Sequence, residues 1–262
     1  MIRIEKMTAK LETDLIGREI CYFEKLASTN TTAKEQAKNG AKEGTIVIAE
    51  AQTRGKGRLN RRWISPKGGM WLSIILRPRI TATDAAKITL FTAAAVAKTL
   101  RKLYGLKPQI KWPNDVLIDN KKICGILTEA AFKEKVVDFV VVGIGINANF
   151  TLSNTLPKEL QRTATTLKEV LKKNVHLEDL VCFLLKEFEE RYRRFNEREF
   201  EDLLSEWRSM ASFLGKKVEI ASFDERLFGV AVDVDRNGEL IIRLENGQKR
   251  KIASGDLIAR ED

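Results

Sequence analysis

Histidine and cysteine are scarce in this chain of 262 residues, which has one histidine and three cysteines. The single histidine, His176, excludes most metal centres and most Ser-His or Cys-His catalytic sites, because these need an imidazole beside the reacting atoms. Cys21, Cys124 and Cys182 are odd in number and widely spaced, which fits neither a disulfide framework nor a zinc site. Any chemistry must therefore depend on other residue types.

Long apolar runs and a signal sequence are also missing. The apolar run at 139–146 is far shorter than the ~20 residues that a membrane helix needs. Residues 1–12 carry charges throughout and contain no apolar signal core. We therefore expect a cytoplasmic protein with no membrane partner.

Acidic residues are fewer than basic ones. The chain has 46 Lys and Arg against 36 Asp and Glu, a formal net charge of +10. This balance is compatible with an anionic partner such as a nucleic acid, a nucleotide or an acidic protein, and it does not choose among them.

The chain contains two regions with different sequence patterns, and together they predict an α+β fold. Apolar runs typical of strands lie at 20–23, 45–49, 70–76, 123–129 and 136–146, and helical patterns lie at 33–38, 82–103, 160–170 and 177–209. From residue 213 onward, short β runs are separated by the turns 236–238 and 245–247, each ending in Asn-Gly. We predict a larger domain at 1–212 and a small antiparallel β module at 213–262.

Two segments carry chemistry. The loop 52–63 combines two glycines, four arginines and one lysine with no acid, so its backbone N–H groups and cations can surround phosphate. The segment 111–115, Lys-Trp-Pro-Asn-Asp, brings a cation, an amide and a carboxylate together, and Pro113 favours a turn at a strand end. We interpret the second segment as a site where a carboxylate meets a phosphate.

These segments, taken in order with Ser28-Thr29-Asn30, the strand 122–127, the Gly-Ile-Gly-Ile-Asn segment 143–147 and the C-terminal β module, resemble biotin protein ligases. The resemblance runs from about residue 20 to the end. It implies a mixed central sheet flanked by helices, similar to class II aminoacyl-tRNA synthetases and lipoate ligases, followed by an SH3-like β-barrel.

The resemblance also implies a two-step ligase reaction. The biotin carboxylate attacks the α-phosphate of ATP, with Mg²⁺, to give biotinyl-5′-AMP and pyrophosphate. A lysine of a biotin carboxyl carrier protein then attacks the adenylate. Two anions must meet in the first step, so fixed cations are required. We expect Lys111 and Arg58 to be the catalytic residues.

Further site residues are implied by the same resemblance. The biotin contacts are Ser28, Thr29, Asn30, Gln52, Lys56, Gly57, Arg58, Lys111, Gly125, Gly143 and Gly145. The contacts with ATP and the adenylate are Arg58, Arg61, Trp63, Lys111, Asn114 and Asn147. The metal ligands stay unknown, with Asp115 as the candidate.

Two positions in the basic loop depart from the family pattern, which commonly has Arg in place of Lys56 and Gly in place of Asn60. Lysine keeps the charge but loses the planar fork of arginine. Asn60 can still adopt the left-handed conformation, so we expect the loop geometry to be preserved.

The resemblance leads to two expectations on assembly and leaves two alternatives open. We expect a homodimer. We also expect no binding of operator DNA, because the 27 residues before Ser28 are too few for a winged helix-turn-helix. The closest alternative is a lipoate or octanoate ligase on the same scaffold. A nucleic-acid-binding protein is disfavoured because no Phe or Tyr is interleaved with the basic run as a stacking platform.

Overall fold

The computed structural model describes residues 2–81, 84–134, 136–221 and 225–259. Its helices are α1 (Ile4–Lys10), α2 (Thr29–Lys38), α3 (Ala85–Tyr104), α4 (Lys158–Thr163), α5 (Leu167–Leu171), α6 (Leu177–Asn196) and α7 (Phe200–Arg208). Its strands are β1 (Ile20–Leu26), β2 (Ile46–Gln52), β3 (Met70–Leu76), β4 (Gln109–Lys111), β5 (Asp115–Ile118), β6 (Lys121–Lys133), β7 (Val136–Ile146), β8 (Lys217–Ala221), β9 (Arg226–Val234), β10 (Leu240–Arg243), β11 (Lys249–Ile252) and β12 (Asp256–Ala259).

A seven-stranded mixed sheet forms the centre of the larger part, in the order β1-β2-β3-β7-β6-β5-β4. Strands β1 and β2 are parallel and the other neighbours are antiparallel. Helix α2 packs on one face of the sheet, and α3 and α6 belong to the large core on the other. The predicted α+β class with a mixed, helix-flanked sheet is confirmed.

Strand β7 links this packing to the site. It is buried along almost its whole length, as the sequence predicts. Side chains alternate between the two faces of a strand, so residues 139, 141, 143 and 145 share the face under α2. Phe139 and Val141 pack against α2, whereas Gly143 and Gly145 have no side chain to fill the next part of that face. The change from bulky residues to glycine opens a cavity beside the helix.

Two predicted helices are divided in the structure. The pattern at 177–209 forms α6 and α7, separated where Arg198 adopts the left-handed conformation with φ 67°. The pattern at 160–170 forms α4 and α5, because the chain is extended at Ala164 and Thr166. The Thr166 side chain then caps α5 by accepting from the Glu169 N–H at 3.1 Å. The helix predicted at 82–103 begins at Ala85, and residues 82–83 lie outside the described residues.

The C-terminal strands β8 to β12 form a separate antiparallel sheet in the order β11-β10-β9-β8-β12. The predicted antiparallel module is confirmed, and its SH3-like closure and the boundary at 212/213 stay predictions. Trp112 joins the two parts of the chain: it is buried, and its Nε1 donates to the Gly238 carbonyl at 3.1 Å. Within the ranges described above, no helix is long and apolar enough to cross a membrane.

Candidate active site

A cavity opens on the sheet face that α2 covers only in part. Its floor is formed by Gly125 of β6 and by Gly143 and Gly145 of β7. The other residues around it are Ser28, Thr29, Asn30, Gln52, Lys56, Gly57, Arg58, Arg61, Arg62, Trp63, Ile64, Leu72, Asn114, Asp115, Lys122, Ile126, Leu127, Ile144, Asn147, Leu156, Leu160, Thr163, Ala164 and Asp256. Every sequence-predicted site residue except Lys111 lies in this set.

One end of the cavity is a closed polar network. Ser28 precedes α2, but its side chain makes no capping hydrogen bond. The Thr29 N–H donates to Gln52 Oε1 at 2.7 Å. Ser73 Oγ donates to Asn30 Oδ1 at 2.6 Å and lies 2.8 Å from Thr29 Oγ1. These side chains offer fixed donors and acceptors, and such an arrangement suits the polar end of a small ligand.

The indole of Trp63 lies directly over two of the floor glycines. A Cβ at Gly145 would lie 2.6 Å from Trp63 Nε1, and one at Gly125 would lie 2.9 Å from Trp63 Cζ3. The buried Nε1 has no hydrogen-bond partner within the described part of the chain. Glycine is therefore required at both positions for Trp63 to occupy this place.

Besides the cations of the basic loop, Lys122 lines the cavity, where it lies beside the floor glycine Gly125. Lys122 Nζ lies 2.6 Å from Asp115 Oδ1 and 5.0 Å from the centroid of the Trp63 ring. Lys111 is on the edge strand β4, separated from the Gly125 floor by β5, which is roughly 10 Å at the usual strand spacing. It does not line the cavity, and the catalytic role expected for Lys111 stays a prediction.

The basic loop closes the opposite side of the cavity and is held by the C-terminal module. Arg58 donates to Asn114 Oδ1 and to the Gly255 carbonyl, both at 3.3 Å. Arg61 pairs with the Asp256 carboxylate. Burial lowers the pKa of the Arg58 guanidinium, and the Asp256 and Asp115 carboxylates oppose that effect.

The loop turns through two left-handed residues, Leu59 with φ 52° and Asn60 with φ 58°. The left-handed conformation expected for Asn60 is confirmed. Lys56 lines the cavity.

A wall that the sequence did not indicate comes from the segment around α4, which contributes Leu156, Leu160, Thr163 and Ala164. Asn147 holds this wall, since its Nδ2 donates to the Thr165 carbonyl at 3.0 Å. This amide nitrogen is therefore engaged by backbone, and the adenine contact predicted for Asn147 stays a prediction. The sequence gives little indication of this wall, because a few apolar side chains within a polar connecting segment are also common in ordinary surface loops.

The arrangement was compared with known proteins. The pattern of the biotin/lipoate A/B protein ligase family matches residues 22–147, and that of the biotin protein ligase C-terminal domain matches residues 213–259. The bifunctional ligase/repressor BirA of Bacillus subtilis is 38% identical over 248 residues, which cover 94% of this chain and 76% of BirA. The chain belongs to the biotin protein ligase family.

Other biotin protein ligases are similar to this chain over almost its whole length. The biotin--[acetyl-CoA-carboxylase] ligase of Mycobacterium tuberculosis is 28% identical over 95% of this ligase and 93% of its own chain. The structure of the Aquifex aeolicus biotin protein ligase in complex with biotin and ATP superposes with a TM-score of 0.80 at 28% identity, covering 94% of this ligase and 100% of the Aquifex chain.

Proposed function

We propose that this biotin protein ligase uses ATP to activate biotin as biotinyl-5′-AMP, and then transfers the biotinyl group to a lysine of a biotin carboxyl carrier protein. The observation that carries the proposal is one cavity with a hydrogen-bonding end at Asn30 and a cationic end at Lys122. Biotin has a ureido group at one end and a carboxylate at the other, so it matches both. The Aquifex relative was solved with biotin and ATP, and these are the substrates proposed here.

We propose that Lys122 assists the first step. A carboxylate and an α-phosphate repel each other, and a fixed cation between them lowers the barrier as charge builds up in the transition state. The ammonium of Lys122 lies beside the floor glycines and faces the basic loop. Its ion pair with Asp115 holds it there before substrates arrive.

The residues around Lys122 also fit a magnesium ion that arrives with ATP. Mg²⁺ takes oxygen ligands, commonly one or two carboxylates together with substrate phosphates, and Asp115 and Asp256 are the carboxylates of the cavity. No group of three or more His, Cys, Asp or Glu side chains gathers in the described ranges, so phosphate oxygens would supply most ligands. The ion would supply charge neutralisation at the phosphates.

The first experiment is exchange of labelled pyrophosphate into ATP with purified protein and Mg²⁺. We expect exchange only when biotin is present. Label enters ATP when pyrophosphate attacks biotinyl-5′-AMP and so reverses the first step. Lipoate and octanoate should support little exchange, because neither has a ureido group for the network at Asn30. Exchange with lipoate but not with biotin would establish the alternative ligase; exchange with neither would overturn the proposed function.

The basic loop is proposed to retain the adenylate until the carrier lysine arrives. Replacing Arg58 by Gly removes its bonds to Asn114 and to the Gly255 carbonyl, so the loop is held less firmly. We expect Arg58→Gly to release biotinyl-5′-AMP early and to biotinylate lysines of bystander proteins, about tenfold more than the unaltered enzyme, the effect of about 1.4 kcal/mol in loop closure.

The measurement for Arg58→Gly is mass-spectrometric counting of biotinylated lysines on serum albumin in the presence of a carrier domain. Arg54→Gly is the control, because Arg54 lies in the same loop but does not line the cavity. Unchanged selectivity for the carrier in Arg58→Gly would contradict the retention role.

Three further properties belong to the proposal. We propose that the ligase is a homodimer and acts in the cytoplasm, which the resemblance favours. We also propose that it does not bind operator DNA. A gel-shift assay across a salt series checks the last point, since a protein that neutralises phosphates loses affinity steeply as salt rises.

A further inference from the structure

Asn30 is held from more than one side at the polar end of the cavity. Its Nδ2 donates to the Leu127 carbonyl at 3.1 Å and to Glu129 Oε2 at 2.8 Å. Its Oδ1 accepts from Ser73 at 2.6 Å and lies over Gly143, where an added Cβ would be 2.0 Å away. A carbonyl oxygen has two lone pairs, so Oδ1 can accept a second hydrogen bond from a ligand in the cavity.

Glu129 and the Leu127 carbonyl together determine which end of the Asn30 amide faces the cavity. An ionised carboxylate can only accept hydrogen bonds, so the atom of Asn30 that faces it must be the amide nitrogen. Burial raises the pKa of the Glu129 carboxyl, but hydrogen bonds from Lys34 and Asn30 outweigh burial and hold the pKa below its ordinary value. Glu129 is therefore ionised near neutral pH.

Lys34 fixes the carboxylate in turn. Lys34 Nζ lies 2.8 Å from Glu129 Oε1, and the other carboxylate oxygen is the one that Asn30 uses. Lys34 and Asn30 both belong to α2, whereas Glu129 is on β6. Glu129 does not line the cavity, and Asn30 is the cavity residue to which it is hydrogen-bonded.

We propose that Glu129, held by Lys34, is a positioning residue that keeps Asn30 Oδ1 turned into the cavity as the acceptor for a ureido N–H of biotin. This inference rests on the proposed function. It makes biotin selectivity depend on a charge pair behind the cavity wall.

The variant that tests the inference is Glu129→Gln. Glutamine offers one accepting and one donating end where glutamate offers two acceptors, yet both neighbours, Lys34 and Asn30, are donors. One of them then faces an NH₂ group, so the Asn30 amide nitrogen is left with the Leu127 carbonyl as its firm acceptor, and Asn30 Oδ1 is held in the cavity less firmly. We expect the Kd for biotin to rise about tenfold, in the range for a buried hydrogen bond left unmade, with kcat for adenylate formation at saturating biotin nearly unchanged.

A second substitution separates positioning from lost charge. In Lys34→Met/Glu129→Gln, no ammonium competes for the glutamine oxygen, so the oxygen can accept from Asn30 again. We expect the double variant to recover most of the biotin affinity, although it has lost both charges. Glu19→Gln is the matched control: Glu19 also pairs with a lysine, Lys42 at 2.7 Å, and accepts from Thr45, but does not line the cavity.

Calorimetry with biotin and with an analogue methylated at its ureido nitrogens reads the amide orientation directly. The unaltered enzyme should prefer biotin strongly, and Glu129→Gln should lose most of that preference. If the unaltered enzyme binds biotin and Glu129→Gln binds it equally well, or if the double variant is as weak as Glu129→Gln, the positioning role is wrong. Failure of the unaltered enzyme to bind biotin would instead overturn the proposed function.

Discussion

Replacing Lys122 by Met is expected to lower the rate of biotin-dependent adenylate formation by about 10²–10³, the usual effect of removing one group that stabilises charge in a transition state. Lys111→Met is expected to change it less than about threefold, because a half-buried charge that is roughly 10 Å away and still reached by water contributes little. The measurement is single-turnover formation of biotinyl-5′-AMP at saturating biotin and ATP. The two lysines are eleven positions apart in the sequence, and only Lys122 lines the cavity.

Loss of activity in Lys122→Met has a second possible cause, because the substitution leaves Asp115 without its partner at 2.6 Å. A buried carboxylate without a partner destabilises the fold. The double variant Lys122→Met/Asp115→Asn removes both charges and relieves that cost. We expect it to regain thermal stability while adenylate formation stays low. Recovery of activity in the double variant, or inactivity of Lys111→Met alone, would refute the assignment of Lys122.

The sequence analysis singled out Lys111 rather than Lys122, and a β-bulge explains how Lys122 comes to line the cavity. Strict alternation from Gly125 would place residues 123 and 121 on the cavity face. Instead, Val116 pairs with Cys124 and Leu117 pairs with Lys122, so Ile123 is an extra residue in β6. A bulge of this kind turns the following side chains to the other face, and Lys122 thereby reaches the cavity.

Much of the fold was predictable because its signals are local. The central strands are apolar runs, the small module contains two Asn-Gly turns, and the helix predicted at 33–38 lies within α2. Gly143 and Gly145, which the resemblance implied as biotin contacts, lie on the floor of the cavity.

The remaining parts of the site depend on contacts between distant residues. Leu156 and Ala164 of the wall pack, together with Trp63, against the cluster of Trp71, Phe150 and Leu152. The contact of Arg61 with Asp256 joins residues 195 positions apart. The pair of Lys34 with Glu129 likewise joins two elements that are distant along the chain. None of these contacts has a recognisable pattern in the local sequence. Lys34, for example, lies on a polar helix face, where a lysine is usually just exposed to solvent.

Replacing Gly143 by Ala is expected to weaken biotin binding by roughly 10- to 100-fold, which corresponds to the 1–3 kcal/mol typical of overpacking. A Cβ at this position would lie 2.0 Å from Asn30 Oδ1. Asn30 cannot easily move aside, because Ser73, Leu127 and Glu129 all hold its amide. The new methyl group therefore displaces the acceptor proposed for the ureido group. Calorimetric titration with biotin gives the affinity.

Gly145→Ala is the comparison for Gly143→Ala, because both glycines lie on β7 and face the cavity. At Gly145 the added Cβ meets Trp63 Nε1 at 2.6 Å, and that nitrogen makes no hydrogen bond within the described residues. Trp63 is carried by the basic loop and can shift, so we expect Gly145→Ala to weaken biotin binding severalfold less than Gly143→Ala. If both variants fold, as judged by their unfolding temperatures, and Gly145→Ala is the weaker binder, then the polar network at Asn30 does not carry the affinity for biotin.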